Sequence, residues 1–167
     1  MNRTLLLGSM IGGVIIVFIT TIFSFTPNSA DPSSIPLLKE YTYKLVNKER
    51  QKFNVQPIKE GEAIAAEKQA KYILTQPTIT HLDSSGNSPR QRYLQTRETG
   101  FIGENIFIYR CGDLSSCETA ISFAIEEIIK KDKEAKSTIL NPNITHLSIG
   151  IAVGKGKIAA VLDFERR

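Results

Sequence analysis

Residues 5–25, LLLGSMIGGVIIVFITTIFSF, carry no charge across 21 positions, and this run sets the layout of everything after it. A helix of about 20 apolar residues spans the hydrocarbon core of a bilayer, so the run predicts a membrane-crossing anchor. A secretory signal has a shorter apolar stretch, about 7–15 residues, before a small-residue cleavage site. The candidate site here, Asn28-Ser29-Ala30, puts Asn where a small residue is preferred. An uncleaved anchor is the first reading and a cleaved signal the second. Arg3 and the terminal amine precede the run, whereas residues 26–38 contain no Lys or Arg. Positive charge stays on the cytoplasmic side. Residues 1–4 are therefore expected as a cytoplasmic stub, and the rest of the chain outside.

After the anchor, residues 26–36 (TPNSADPSSIP) lack apolar periodicity and read as a Pro/Ser linker. The remaining residues, 37–167, suffice for one domain with a sizeable core. Leu37, Leu38, Tyr41, Leu45 and Val46 recur at helical spacing and predict a helix that fades near Asn54. Pro57 and Gly61 punctuate a turn. A second helix is predicted over about 62–74, with Ala63, Ala66, Ala70 and Ile73 as a close-packing face, and Pro77 closes it. Residues 78–101 are polar and marked by Gly and Pro, with a short helix expected over 89–95. Asn105–Tyr109 reads as a strand. Residues 118–131 form a third helix with Ile121, Ile125, Ile128 and Ile129 on one face. The chain then gives two strand-like runs, 147–153 and 157–164, joined by Gly154-Lys-Gly156 as a hairpin turn. Helices first and strands last predict an α+β domain with helices packed on an antiparallel sheet.

Charge and cysteine usage narrow the function. Twenty-one basic and 17 acidic residues give a net charge of +4, but the basic residues are scattered. The densest run, Lys130-Lys131-Asp132-Lys133, is interrupted by an acid. Nucleic-acid binding needs clustered Lys/Arg with a recognisable motif, so no nucleic-acid partner is expected. Cys111 and Cys117 enclose Gly-Asp-Leu-Ser-Ser. They read as a local disulfide closing a loop before a helix, which an oxidising exterior permits; two reduced thiols are the other reading. Their spacing is not that of a zinc pair, and there is no second pair. Asn143-Ile-Thr145 fits the N-glycosylation acceptor pattern, which operates only in a host with that machinery.

Four short patterns occur in fixed order across about 100 residues: Asn47-Lys-Glu-Arg50, Ile79-Thr-His81, Gly103-Glu104-Asn105-Ile106 and Asn141-Pro-Asn-Ile-Thr-His146. Together with Gly86, Pro89, Arg92, Gly100-Phe101 and Asp163-Phe164, they resemble the CAP superfamily in its compact prokaryotic SCP-domain form. That superfamily comprises the cysteine-rich secretory proteins, antigen 5 and the pathogenesis-related proteins. The resemblance runs from about residue 38 to 164, and Gly-Glu-Asn-Ile is its most specific motif. It implies an α-β-α sandwich over residues 37–167, secreted or surface-exposed, with two histidines and two glutamates in one cleft. His81 and Glu104 fall on matching positions. The second glutamate follows a helix tryptophan by three residues in the family; with Phe123 in that place it is Glu126, with Glu127 as its neighbouring rival. A third register puts Ile128 in the tryptophan's place and Lys131 where the glutamate belongs. Where many prokaryotic members carry the second histidine, this chain reads Lys133-Glu-Ala-Lys136. The remaining histidine, His146, either enters the cleft from the adjoining strand or only starts that strand.

Two imidazoles and two carboxylates in one cleft could hold zinc or another divalent metal, with ligand atoms about 2.0–2.2 Å away. On this reading the metal set is His81, Glu104, Glu126 and His146. The same groups could move protons, a carboxylate orienting a histidine that acts as base. Ser84, Ser85 and Ser88 lie near His81, but no Gly-x-Ser-x-Gly elbow surrounds them. The expected role is that of a membrane-anchored extracytoplasmic domain binding a ligand or a divalent metal at the cell surface. The alternatives are a peptidase-like hydrolase with His81, Glu104 and Glu126 as catalytic candidates, and a lipid- or sterol-binding module with an apolar groove. Asn47 and Arg50 read as helix-surface or helix-pairing residues.

Overall fold

Pro36 in its first turn and Asn54 just beyond its end bound the first helix, α1 (Ile35–Lys52). Proline suits the opening turn because its missing N–H has no partner there in any helix. Asn54 has a φ of 57°, the left-handed conformation that stops helices. The computed structural model describes residues 31–96 and 99–167. The expected anchor, the stub and the first part of the linker lie outside the described residues. Among the described residues no helix is long and apolar enough to cross a membrane. The end of the expected linker is not extended: Pro32–Ser34 forms a 3-10 turn capped by Asp31, and α1 starts at Ile35.

The elements follow as β1 (Lys59–Glu60), α2 (Ile64–Leu74), α3 (Pro89–Thr96), β2 (Phe101–Arg110), α4 (Leu114–Lys131), α5 (Lys133–Ile139), β3 (His146–Gly154) and β4 (Lys157–Glu165). The sheet order is β1-β3-β4-β2. β4 runs antiparallel to both β3 and β2. The expected all-antiparallel sheet needs one correction, because β1 pairs with β3 in parallel. That strand is two exposed residues long and leaves no periodicity to read. In the β3–β4 hairpin, Lys155 and Gly156 both have positive φ, 51° and 68°. Two such central residues match the right-handed twist of the strands they join.

Alternation along the strands sorts two layers. Leu147, Ile149, Ile151, Ile158, Ala160, Leu162 and Phe164 pack with Phe107 against α1, α4 and α5. Ala152, Ala159 and Val161 face Ala66, Ala70 and Ile73 of α2. The second layer is thin. A Cβ at Gly150 would collide with the carbonyl of Ala66, so helix and sheet meet backbone to backbone there. The result is helices on both faces of a mixed sheet, an α-β-α arrangement within the expected α+β class.

Two local expectations change. α4 begins at Leu114, not after Cys117. Asp113 and Ser116 form a reciprocal capping box, each side chain accepting the other's backbone N–H, and this nucleates the first turn inside the supposed loop. The disulfide Cys111–Cys117 therefore fastens the end of β2 to the first turn of α4. Of the two residues expected on a helix surface or in helix pairing, Arg50 lies in the interior and Asn47 is half-buried. Asn47 brackets Ile58, donating to its carbonyl and accepting from its N–H. Arg50 is fully buried, donating from Nε to Gln56 O (2.8 Å), from Nη1 to Ile139 O (2.5 Å) and Asn141 O (3.1 Å), and from Nη2 to Ile144 O (3.3 Å).

Removing that fork takes this donor from the buried carbonyls of Ile139 and Ile144, each at about 1–3 kcal/mol. Arg50→Ala is expected to lower the unfolding free energy by at least about 3 kcal/mol in urea titrations. Arg50→Lys is expected to restore only part of it, since an ammonium cannot copy the planar fork.

Candidate functional site

On β2, residues of even number share the face toward α2 and α3, where Ile106 and Ile108 pack. Glu104 belongs to that set, and its side chain is 1% exposed. A buried carboxylate needs partners, and two converge on it. His81 places Nδ1 at 2.7 Å from Oε1, and the Arg92 guanidinium pairs with Oε2 through Nη2. The Arg92 side chain is itself only 5% exposed, whereas that of His81 is 58% exposed. The arrangement is a buried ion pair capped by an accessible imidazole.

The loop that carries His81 is fixed from behind. Arg92 Nη1 donates to His81 O at 2.6 Å. Gln69 of α2, 1% exposed, donates from Nε2 to Thr80 O (3.0 Å) and Leu82 O (3.2 Å). Three consecutive carbonyls, 80 to 82, are thus held by two buried side chains. Beyond them Asp83 Oδ1 accepts from the backbone N–H of Ser85 and Asn87, an Asx-type turn that returns the chain to α3. The sequence offered no signal for Gln69, an ordinary residue in a helical pattern. Arg92 was visible only as a matching position without a role.

His81 and Glu104 line an open cleft of about 480 Å³. Phe101 through Ile106 form its floor; Pro89 stands on the His81 side, and Ile128, Asp132, Glu134, Ala135 and Thr138 stand on the α4–α5 side. Asp132 caps α5, accepting from the N–H of Glu134 and Ala135. α5 has seven residues with only Ile139 buried, which explains why no apolar periodicity announced it or the acidic wall it presents. The hydrogen bond to Glu104 holds the His81 pKa above its ordinary value of 6.5; burial opposes this, and the negative charge of Glu134 adds to it.

The other expected site residues lie elsewhere. Glu126 is 57% exposed and paired with Lys130; Glu127 is paired with Lys131, and neither lines the cleft. His146 starts β3, with Nδ1 at 2.9 Å from the Thr145 hydroxyl. In register, Glu104 stands beside Asp163, and Asp163 beside Ser148 on β3. Two strand spacings, about 10 Å, therefore separate Glu104 from β3, and His146 lies two residues further along. The segment Lys133-Glu-Ala-Lys136 does reach the cleft, but with Glu134 and Ala135 rather than an imidazole. Among the described residues no three His, Cys, Asp or Glu side chains are grouped to hold a metal ion. Both Glu104 oxygens are engaged, one by the His81 ring and one by the Arg92 cation. Ser84, Ser85 and Ser88 do not line the cleft, and the Thr138 hydroxyl that does is bonded back to Glu134 O. Asn143 is exposed in the turn before β3.

No protein-family model matches the chain, and no curated protein matches it by sequence. Solved structures do. An extracellular SCP-domain protein from Bacillus anthracis matches with a TM-score of 0.57 at 17% identity, over 77% of this chain and 40% of that one. An outer surface protein from Borrelia burgdorferi matches with a TM-score of 0.54 at 18% identity, over 84% of this chain and 98% of that one. A cysteine-rich secretory protein from Staphylococcus aureus matches with a TM-score of 0.50 at 14% identity, over 78% of this chain and 39% of that one. This chain thus spans less than half of the first and third and nearly all of the second. At these identities the likeness establishes the fold.

A folded-state pKa above the unfolded one means that folding takes up a proton between the two values, so the linked stability falls as pH rises. The stability from the His81–Glu104 pair is expected in full below about pH 6.5 and is lost as pH rises through the raised pKa of His81. In unfolding measurements from pH 5 to 9, the advantage of the native chain over His81→Ala should shrink with rising pH. An advantage independent of pH would remove the charged pair from the account.

Proposed function

For a chain carrying the prokaryotic CAP-superfamily fold, we propose a surface-displayed binding domain, held to a membrane by residues 5–25, whose cleft takes an external ligand through His81. The observation that carries this is the accessible imidazole fixed on a buried carboxylate. With Nδ1 committed to Glu104, the other ring nitrogen is left for the cleft, and the protonated ring donates there to a carbonyl or carboxylate. Arg92 pairs with Glu104 and holds it in place, so the donor is pre-organised, which lowers the entropic cost of binding. Export is supported by the local disulfide and by the extracellular and outer-surface origins of the matched structures.

The 2.7 Å contact between His81 and Glu104 also favours a second reading, a hydrolase in which the oriented imidazole takes a proton from water. Among the described residues that line the cleft there is no serine or cysteine, so on this reading water attacks. An acyl chain or sterol fits the lining poorly, because it would lie against His81, Glu104, Asp132 and Glu134.

Calorimetric titration of the full chain with zinc, beside His81→Ala, tests the metal-free reading. No saturable binding that depends on His81 is expected; one-to-one binding lost in the variant would overturn it. Protease added to intact cells that express the chain should digest residues 31–167 while leaving cytosolic proteins whole. Protection of that domain until the cells are lysed would overturn surface display. Hydrolysis of a peptide substrate that disappears in a folded His81→Ala variant would establish the second reading over the first.

A further inference from the structure

The cleft floor is made by six successive residues, Phe101 to Ile106. The register is irregular between Phe101 and Gly103 and regular beyond. Successive side chains on a regular strand point to opposite faces, so a pocket on either face would be lined there by every second residue. Lining by Gly103, Glu104, Asn105 and Ile106 alike places the cleft against the edge of β2. The sheet order agrees: β2 pairs with β4 on one side and stands at the border of the sheet on the other. The walls come from both layers, with His81 and Pro89 on one side of the sheet and Ile128, Asp132, Glu134 and Ala135 on the other. An open strand edge presents a row of backbone donors and acceptors, and proteins ordinarily cover it, charge it or keep it short. This one lies between two walls, ten residues long.

We infer that the cleft takes an extended peptide, which adds to the free edge of β2 as a further strand and sets basic side chains against Asp132 and Glu134. This rests on the proposed reading of the cleft as a ligand site and names the ligand class. Six strand residues span about 20 Å, and the cleft lies within the usual range of ligand pockets, about 300–1,000 Å³. Backbone bonds along the edge supply affinity, and the two walls read alternate side chains. One set meets His81 and Pro89. The other meets the acidic wall, where Glu134 makes no ion pair among the described residues and Asp132 is exposed. Ile102 on the strand and Ile128 on the α4 wall supply apolar contact. A second copy of this chain, paired β2 to β2, would bring two acidic walls together and is disfavoured by like charge.

The probe is an acetylated hexapeptide of alternating valine and lysine, added to the full chain in detergent micelles and followed by amide chemical shifts and hydrogen exchange. The expected result is saturable binding that slows exchange on β2, about tenfold weaker for the valine–glutamate peptide or for Glu134→Gln. N-methylation of alternate peptide amides, which removes only backbone donors, is expected to abolish binding without touching the fold of the protein. Binding indifferent to that methylation, perturbations away from 101–106, or no binding at about millimolar peptide overturns the inference. So does exchange protection that rises with protein concentration alone, the mark of a β2-to-β2 dimer. Binding that survives His81→Ala but not methylation upholds the edge and removes His81 from the proposed function. Binding lost in His81→Ala yet indifferent to methylation overturns strand addition and leaves the proposed function standing.

Discussion

The Arg50 guanidinium is the fastening on which the other layers depend. One planar fork at the end of α1 gathers carbonyls from three separate places: the turn after its own helix, the end of α5 and the turn entering β3. Helix ends leave carbonyls without partners, and Ile139 O lies at such an end. A single buried cation thereby replaces what would otherwise be several caps. Asn47 does the same at smaller scale by closing both backbone groups of Ile58. Together they hold α1 against the start of β1 and the entry of β3. The α5 wall of the cleft is therefore positioned from the far side of the molecule.

The two faces of the sheet solve different problems. Toward α1, α4 and α5 the strands present large aliphatic side chains, and packing of volume fixes the layer. Toward α2 and α3 the same strands present Gly150, Ala152 and Ala159, so α2 lies close. Beyond this thin region the face turns polar. Ser148, Tyr93 and Glu165 bond one another in the interior, with Arg167 on Glu165; burial, above all, pushes the Tyr93 phenol pKa upward. Glu104 and Arg92 continue that polar zone to the rim. The imidazole of His81 is thus the outermost member of a buried polar layer, which explains how so exposed a side chain can be so well located.

Long apolar patterns were legible in the residues and short polar elements were not. The β3–β4 hairpin, α1, α2 and most of α4 follow from periodicity because each buries a continuous face. The start of α4 carried a signal, Asp113 with Ser116, that the flanking cysteines obscured. β1 is exposed along its two residues and α5 buries only Ile139, so no local apolar pattern encodes them. For the site, the motifs carrying His81 and Glu104 named two residues that the fold does bring together. They could not place Glu126, whose register rested on a missing tryptophan, or His146, whose distance depends on strand order. Arg50, Gln69 and Arg92 were unreadable for a common reason: their partners are backbone carbonyls or a residue far along the chain. A carbonyl has no letter in the sequence.

The Cys111–Cys117 bond joins the far end of the cleft-floor strand to the first turn of the helix that leads to the acidic wall. It encloses a short loop, so it removes less chain entropy than a long-range crosslink would. Its effect is local. It also has a place in time: in a reducing compartment the two thiols stay apart, and the oxidised strap forms only after passage into an oxidising one. Both cysteines are buried members of the larger core, so the bond closes within that packing. The tie between the groove's floor strand and that helix is thus a covalent mark of the compartment the chain has reached.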